Sequence, residues 1–446
     1  IDCAQLEVPM DRDDPAAGVV TLALVRHASN GSAQERIGSL VFNPGGPGGS
    51  GVSAIASVWG VVPDEVKRHF DLVSWDPRGV NQTKPTLEGC AAPYPDRPIT
   101  GPINWGQVAQ QFARDLATAN RACQRKNVTI IQHMSTVENV YDLDRIRAAL
   151  GEEKLTYWGM SYGTRIGYVY SLLFPDRMRA FVLDGSIDPA GTLIGLAQGG
   201  AGPDQAYGVF ADAYPASDQQ LRELLAVLDQ RAIALPDGST LDRWDVRDFV
   251  FGVDAQQGAY SSIAQVIAVW HAAVLGTGEE QAAGLTGSVQ LASLIALPNS
   301  NAGGVFSAVN CLDYAGRPSL AQAVRAIRYQ NRLAPEYGGS LSTMYSLGCS
   351  GLTITPDPVP VITGEGPRVP VLILGASRDG STVNQWTSRM SRAFPTSRTV
   401  TYAGGQHVTW GTVNSACVNK VANTFVISLK LPPMDVGCRN TLVPQQ

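Results

Sequence analysis

Gly159-Met160-Ser161-Tyr162-Gly163 sets one serine between two glycines, after the apolar stretch Leu155-Thr156-Tyr157-Trp158 and before the apolar segment 164–174. Strand, sharp turn and helix in that order are the setting in which a G-x-S-x-G serine is exposed as a nucleophile. The glycines remove side chains where strand and helix come together, leaving the Ser161 hydroxyl exposed. A serine hydroxyl needs a base, and in this motif the acid and then the histidine follow the serine along the chain. Of the five histidines, His27, His69 and His133 precede Ser161. His271 sits in the apolar helix-like run 266–275 and reads as a packed or surface histidine. His407 is therefore the candidate base, in Gly404-Gly405-Gln406-His407-Val408-Thr409-Trp410, a loop loose enough to swing an imidazole towards Ser161.

The acid that orients the imidazole should lie just past a strand and be buried enough to fix one tautomer. Asp379 follows Leu372-Ile373-Leu374-Gly375-Ala376-Ser377-Arg378, and Asp184 follows Phe181-Val182-Leu183. Asp379 fits the late position in chain order and is preferred; Asp184 is then structural, capping Asp184-Gly185-Ser186 through its own side chain. Asn43-Pro44-Gly45-Gly46-Pro47-Gly48-Gly49-Ser50-Gly51 follows the strand Leu40-Val41-Phe42 and contains no lysine, which excludes a phosphate loop. Its bare backbone suits an oxyanion hole, with Gly46 or Gly45 and the residue after the nucleophile, Tyr162, as N–H donors. Trp75-Asp76-Pro77-Arg78-Gly79 is expected to carry an Asp76–Arg78 or backbone network beneath the site, in a structural role.

These residues need a scaffold, and the apolar runs before Asn43, Asp76, Gly159 and Asp184 read as buried parallel strands with helices between them, the clearest over 137–150. Strand and helix in alternation mean an α/β sheet. Strands return at 369–374 and 399–402, followed by an apolar helix near 421–429. The interruption, 189–366, is too long for a loop and is helical in pattern, as over 218–233 and 320–333, so a helical cap domain is expected between core segments 1–188 and 367–446.

Apolar residues make up 44% and charged residues 16% of the 446, with net charge −5, so there is no basic footprint for nucleic acid or an anionic membrane. No apolar run reads as long enough to span a bilayer. The opening Ile1-Asp2-Cys3 reads as a processed chain after removal of a leader or pro-segment. Seven cysteines without a C-x-x-C pattern favour disulfides in an oxidising compartment over a metal site. Sequence proximity pairs Cys90 with Cys123, Cys311 with Cys349, and Cys417 with Cys438, leaving Cys3 over. A secreted monomer acting on small molecules or peptides is expected.

The glycine run, Trp75-Asp76-Pro77-Arg78-Gly79, Asp142-Leu143-Asp144, Gly159-Met160-Ser161-Tyr162-Gly163-Thr164, Val182-Leu183-Asp184-Gly185 and Cys311-Leu312-Asp313 together resemble the secreted tripeptidyl aminopeptidases of actinomycetes, relatives of proline iminopeptidase with a TAP-like C-terminal segment. The resemblance implies an α/β-hydrolase fold, a mostly parallel sheet flanked by helices with a large cap. It also implies a Ser161, Asp379, His407 triad that cleaves short peptides from a free N-terminus, in some members after proline, without metal or cofactor. An exopeptidase of this kind must read the α-ammonium, most simply with a cap carboxylate; Asp313, Asp204 and Glu336 are the candidates, Asp313 first. Where the family has Asp-Pro-x-Thr-Pro and Gly-His-Gly, this chain reads Asp379-Gly380-Ser381-Thr382-Val383 and Gln406-His407-Val408. The rival readings are a proline iminopeptidase-like aminopeptidase, an esterase or lipase on the same triad, and a binding protein on an inactive scaffold. The last is disfavoured because every triad member is present.

Overall fold

The computed structural model describes residues 1–199, 202–253, 257–295, 301–335 and 339–440. The apolar runs become strands where both faces can be covered. In chain order these are β1 (Asp2–Pro9), β2 (Val19–His27), β3 (Gly38–Asn43), β4 (Phe70–Trp75), β5 (Leu155–Met160), β6 (Met178–Asp184), the two-residue pair β7 (Ile233–Ala234) and β8 (Thr240–Leu241), β9 (Val371–Ala376), β10 (Arg398–Tyr402) and β11 (Val436–Cys438). All but β7 and β8 form one nine-stranded sheet, ordered β1-β2-β4-β3-β5-β6-β9-β10-β11. From β4 to β11 the neighbours are parallel. At the edge of this sheet, β1 pairs with β2 and β2 with β4 antiparallel. β1 is mostly exposed, which is why it shows no apolar run in the sequence.

Alternation along each strand feeds two cores. Leu40, Phe42, Leu72, Trp158, Val182 and Leu372 face one, closed by the helices Gly51–Val61 and Ala416–Ser428 through Ile55, Val58 and Phe425. Val41, Val73, Tyr157, Phe181, Leu183 and Ile373 face the other, closed by the helices Thr136–Ala149 and Gly163–Leu173 through Val140, Leu143 and Ile166. Each such side chain, fully buried, stabilises the fold by roughly 1.5–3 kcal/mol. The helix expected over 137–150 begins one residue earlier because the Ser135 hydroxyl accepts the Glu138 N–H and caps it.

Between β6 and β9 the chain is mainly helical. Part of this insertion has its own core, built from Phe210, Leu221, Leu224, Ile263, Ile267 and Trp270. Its later part does not: Val305, Val309, Leu312 and Tyr345 join the core beneath the sheet. The segment Gln257–Leu275 is, at 19 residues, long and apolar enough by length and composition to cross a membrane, longer than the sequence reading allowed. Ile263, Ile267 and Trp270 pack it into the insertion's own core. The three bridges are Cys90–Cys123, Cys311–Cys349 and Cys417–Cys438, as expected, and Cys3 is exposed and unbridged.

Candidate active site

The chain runs from β3 outward to β4 and then returns to β5 on the other side of β3, so the sheet order reverses between β3 and β5. Loops diverge beyond the carboxyl ends of the strands at such a point and leave a crevice. The glycine run leaves β3 there, and Ser161 leaves β5. Ser161 has φ +54°, a strained conformation for a residue with a side chain, and it turns the strand sharply into the helix Gly163–Leu173. The flanking glycines are required: a Cβ on Gly159 would lie 2.4 Å from the Gly163 carbonyl oxygen, and one on Gly163 2.8 Å from that of Asn43. The elbow is braced by the Ser161 N–H, which donates to Asp184 O at 2.9 Å, and by the Thr164 hydroxyl, which donates to Ser161 O at 2.6 Å.

Asp379 and His407 come together beside it. His407 Nδ1 lies 2.9 Å from Asp379 Oδ2 and 3.1 Å from Oδ1. The Asp379 side chain is 1% exposed and that of His407 15%, so the carboxylate is shielded while the imidazole is reachable. With Nδ1–H directed at the carboxylate, Nε2 is the nitrogen left to accept a proton. Gly185 links this pair to the elbow: it follows Asp184, and a Cβ on it would lie 3.0 Å from His407 Cε1. Sequence reading missed Thr382, whose hydroxyl donates to Asp379 Oδ2 at 2.8 Å and lies 3.2 Å from His407 Nδ1. Its signal is a Ser-Thr pair just after an aspartate, a spacing at which their N–H groups fold back onto the carboxylate, as they do here at 2.9 and 2.8 Å. Thr382→Val should lower kcat between about tenfold and a hundredfold, the worth of one hydrogen bond to a charged group, with KM little changed in steady-state kinetics.

Asp184 does not cap its own turn, as the sequence suggested. Its carboxylate, fully buried, reaches across the fold to accept the N–H groups of Thr409 and Trp410 at 2.9 and 2.8 Å and the Thr409 hydroxyl at 3.1 Å. Burial pushes its pKa up, against the lowering effect of those donors. The loop around His407 is therefore not loose: residues 404–406 and 408–410 are buried, and Asp184 pins its far side. Val408, where the resembled family has glycine, takes φ +63°, a cost of about 1–3 kcal/mol for a β-branched residue that the bonds to Asp184 offset.

On the other side of Ser161, a Cβ on Gly45 (φ +96°) would lie 2.7 Å from both Ser161 Cβ and Met160 O, so only glycine lets the backbone pass. The Gly45 N–H already donates to Asn43 Oδ1 at 3.0 Å, which favours Gly46 over Gly45 as partner to the Tyr162 N–H. The Tyr162 hydroxyl lies 2.7 Å from that of Thr136. Asp313, expected as an amine reader, instead stands behind this residue. Buried, it accepts from Thr136 N and Oγ1 and pairs with Arg165 at 2.9 Å, so its charge is matched within the core and shut off from a ligand by burial. Burial pushes its pKa up while Arg165 opposes the shift. Asp204 lies, partly exposed, in the first turn of the helix Gly202–Ala213, and Glu336 falls outside the described residues. Asp76 and Arg78 do not pair. Asp76 accepts from Ser50 and Gln82, Arg78 grips Asp142 with two nitrogens, and both are structural. His271 pairs with Glu223 on the insertion.

Two family profiles match, one described as alpha/beta hydrolase fold over residues 38–244 and one as TAP-like protein over 334–438. A serine protease, Hip1 of Mycobacterium tuberculosis, is 42% identical over 197 residues, 42% of this chain but only 36% of that protein's length. A Mycobacterium tuberculosis protein named carboxylesterase B is 32% identical over 199 residues, 42% of this chain and 36% of its own. The tripeptidyl aminopeptidase of Streptomyces lividans is 30% identical over 472 residues, which takes in 100% of this chain and 85% of that one. A serine elbow at the sheet's reversal, a late acid and base in contact, and likeness along the whole chain agree, and the chain belongs to the tripeptidyl aminopeptidase family of α/β-fold hydrolases.

Proposed function

We propose that the protein is a secreted serine exopeptidase that releases short peptides, tripeptides foremost, from free N-termini, with proline among the residues accepted at the cut. The carrying observation is the His407–Asp379 contact at 2.9 Å beside a serine held at positive φ. Ser161 Oγ attacks the scissile carbonyl as His407 Nε2 takes its proton, and the oxyanion forms against the N–H groups of Gly46 and Tyr162. The imidazolium then protonates the leaving amine, leaving an acyl-enzyme on Ser161. Water, deprotonated by the same histidine, attacks the ester carbonyl and frees the peptide with the serine restored.

The exopeptidase reading is supported by what covers the crevice, and residues 189–366 act in it as a cap. The helix Ala302–Asp313 lies over the glycine run, with Val305 Cβ 3.2 Å from where a Gly48 Cβ would stand. The helix Gly202–Ala213 lies over the acid and base loops, Gly202 against Asp379 and Val383, Ala206 against Gly405. In this reading the two helices are walls that hold the substrate to a short segment. Asp204, in the first turn of the second wall, is the described cap carboxylate we assign to read an α-ammonium. Three disulfides support export to an oxidising compartment.

The test is hydrolysis of Pro, Ala-Pro, Ala-Ala-Pro and Ala-Ala-Ala-Pro chromogenic amides, each with free and acetylated N-termini. The three-residue substrate should be preferred, acetylation should lower kcat/KM at least tenfold, and Asp204→Asn should remove that difference. Preference for a single N-terminal proline would mean an iminopeptidase-like enzyme. Equal cleavage whatever the length or acetylation would mean an esterase-like hydrolase, the reading that the likeness to carboxylesterase B favours.

A further inference from the structure

The two glycines ahead of the histidine have a use that a mobile loop would not need. A Cβ on Gly404 would stand 2.4 Å from Tyr402 Cε1 and 2.6 Å from Gln257 Nε2, and one on Gly405 3.3 Å from Ala206 Cα. The missing side chains are the seat onto which two pieces of the insertion close. At this seat two buried amides form a clasp. Gln406, 4% exposed, accepts the backbone N–H of Gln257 on Oε1 at 2.7 Å and donates from Nε2 to the His407 carbonyl oxygen at 2.8 Å. Gln257, 7% exposed, accepts the Tyr402 hydroxyl on its own Oε1 at 2.9 Å, at the end of β10. Gln257 opens the short turn that leads into the helix Tyr260–Leu275, which is built into the insertion's own core through Ile263, Ile267 and Trp270. A continuous path of packing and hydrogen bonds thus runs from the insertion's core to the backbone of His407.

We infer that Gln406 is a positioning residue for the base, anchored on the insertion by Gln257, so that seating of the cap sets the orientation of His407. This rests on the reading of Ser161 and His407 as nucleophile and base. Two groups share the task from opposite sides: Asp184 holds Thr409 and Trp410 after the histidine, and Gln406 holds the carbonyl of the histidine itself. A buried primary amide is costly unless bonded; Gln406 has both its amide atoms bonded and Gln257 its Oε1, and the Gln406 Oε1 bond to the insertion exists only while the cap is seated. Once the clasp is broken, the His407–Asp379 contact is held from one side only. The base then orients correctly for a smaller fraction of the time, which lowers the rate without weakening substrate binding.

The experiment compares the full-length protein with Gln406→Met, which keeps the volume and removes both hydrogen bonds, and with Gln257→Ala, which keeps its backbone N–H and removes the bond to Tyr402. The readouts are the second-order rate of labelling by a small fluorophosphonate across pH, and kcat and KM for a peptide amide. A fluorophosphonate makes no demand on peptide recognition, so its rate reports the serine and its base alone. Gln406→Met should label about tenfold more slowly, with the acid limb of the pH profile moved to lower pH as the imidazolium loses contact with Asp379, and KM should stay within about twofold. Gln257→Ala should fall about threefold in labelling, and it decides the matter if Gln406→Met does not fold. Unchanged labelling and an unchanged acid limb, even with a lower melting temperature, would overturn the inference, as would a loss confined to KM. Absence of labelling in the unmodified protein would instead remove the triad reading beneath it.

Discussion

Ser161→Ala should lose on the order of 10⁶-fold in kcat while keeping its fold, because a nucleophile and its base act as a unit and removing either forfeits the covalent route. The prediction is a clean one because the substitution leaves the elbow intact. The positive φ at Ser161 is imposed by backbone groups, its N–H on Asp184 O and its carbonyl under Thr164, and none of these involves the hydroxyl. Alanine pays the same steric cost as serine at that φ, so the melting temperature should hold within a degree or two. What hydrolysis remains should come from the N–H groups facing the oxyanion and from binding, about 10³–10⁴ over the reaction in water. A chromogenic tripeptide amide measures it, with fluorophosphonate labelling as the control for loss of the nucleophile. Activity surviving within a hundredfold would mean that a residue other than Ser161 forms the bond to substrate.

How much of this could be read from the chain depends on how far apart the partners lie. Strands β3 to β6 and β9 were legible because both faces are almost wholly buried, so each carries a run of apolar residues, and β10 because β-branched and aromatic residues fill Thr399-Val400-Thr401-Tyr402, although only Val400 and Tyr402 are buried. The elbow was legible because its glycines act on neighbours within four residues. The disulfides fell to the simplest guess, with separations of 33, 38 and 21 residues, because closing short loops costs the chain least entropy. By contrast, Asp184 meets Thr409 across 225 positions and Gln406 meets Gln257 across 149, and a single contact at that distance leaves no periodic trace. Asp313 misled for the same reason: an acid beside a cysteine gives no sign that Arg165, 148 residues earlier, will neutralise it in the core. The glycines before His407 were read as freedom when they are room for a neighbour, and sequence alone does not distinguish the two uses.

Asp379→Asn should cost on the order of 10⁴-fold in kcat with little change in stability, and the reason is a count of acceptors. Four donors converge on this side chain: the N–H groups of Ser381 and Thr382 on Oδ1, and the Thr382 hydroxyl and His407 Nδ1–H on Oδ2. A carboxylate has lone pairs for all of them on two oxygens; an amide has one oxygen and brings two donors of its own. If the amide oxygen stays with the two backbone N–H groups, its NH₂ faces Thr382 and His407. The imidazole must then accept at Nδ1 and carry its proton on Nε2, the nitrogen that has to be bare to deprotonate Ser161. Flipping the amide restores the bond to His407 only by setting NH₂ against two backbone donors, that of Thr382 buried and that of Ser381 half-buried, at a cost of about 1–3 kcal/mol for a buried donor left unsatisfied. The turn therefore selects the wrong tautomer, and kcat falls while KM and the melting temperature hold. Asp184→Asn is the contrasting case, since its carboxylate touches the loop and not the imidazole, and it should lower the melting temperature more than it lowers kcat in the folded fraction. A loss of less than about tenfold for Asp379→Asn would mean that the backbone clamps on either side of His407, rather than the carboxylate at its Nδ1, set the orientation of the base.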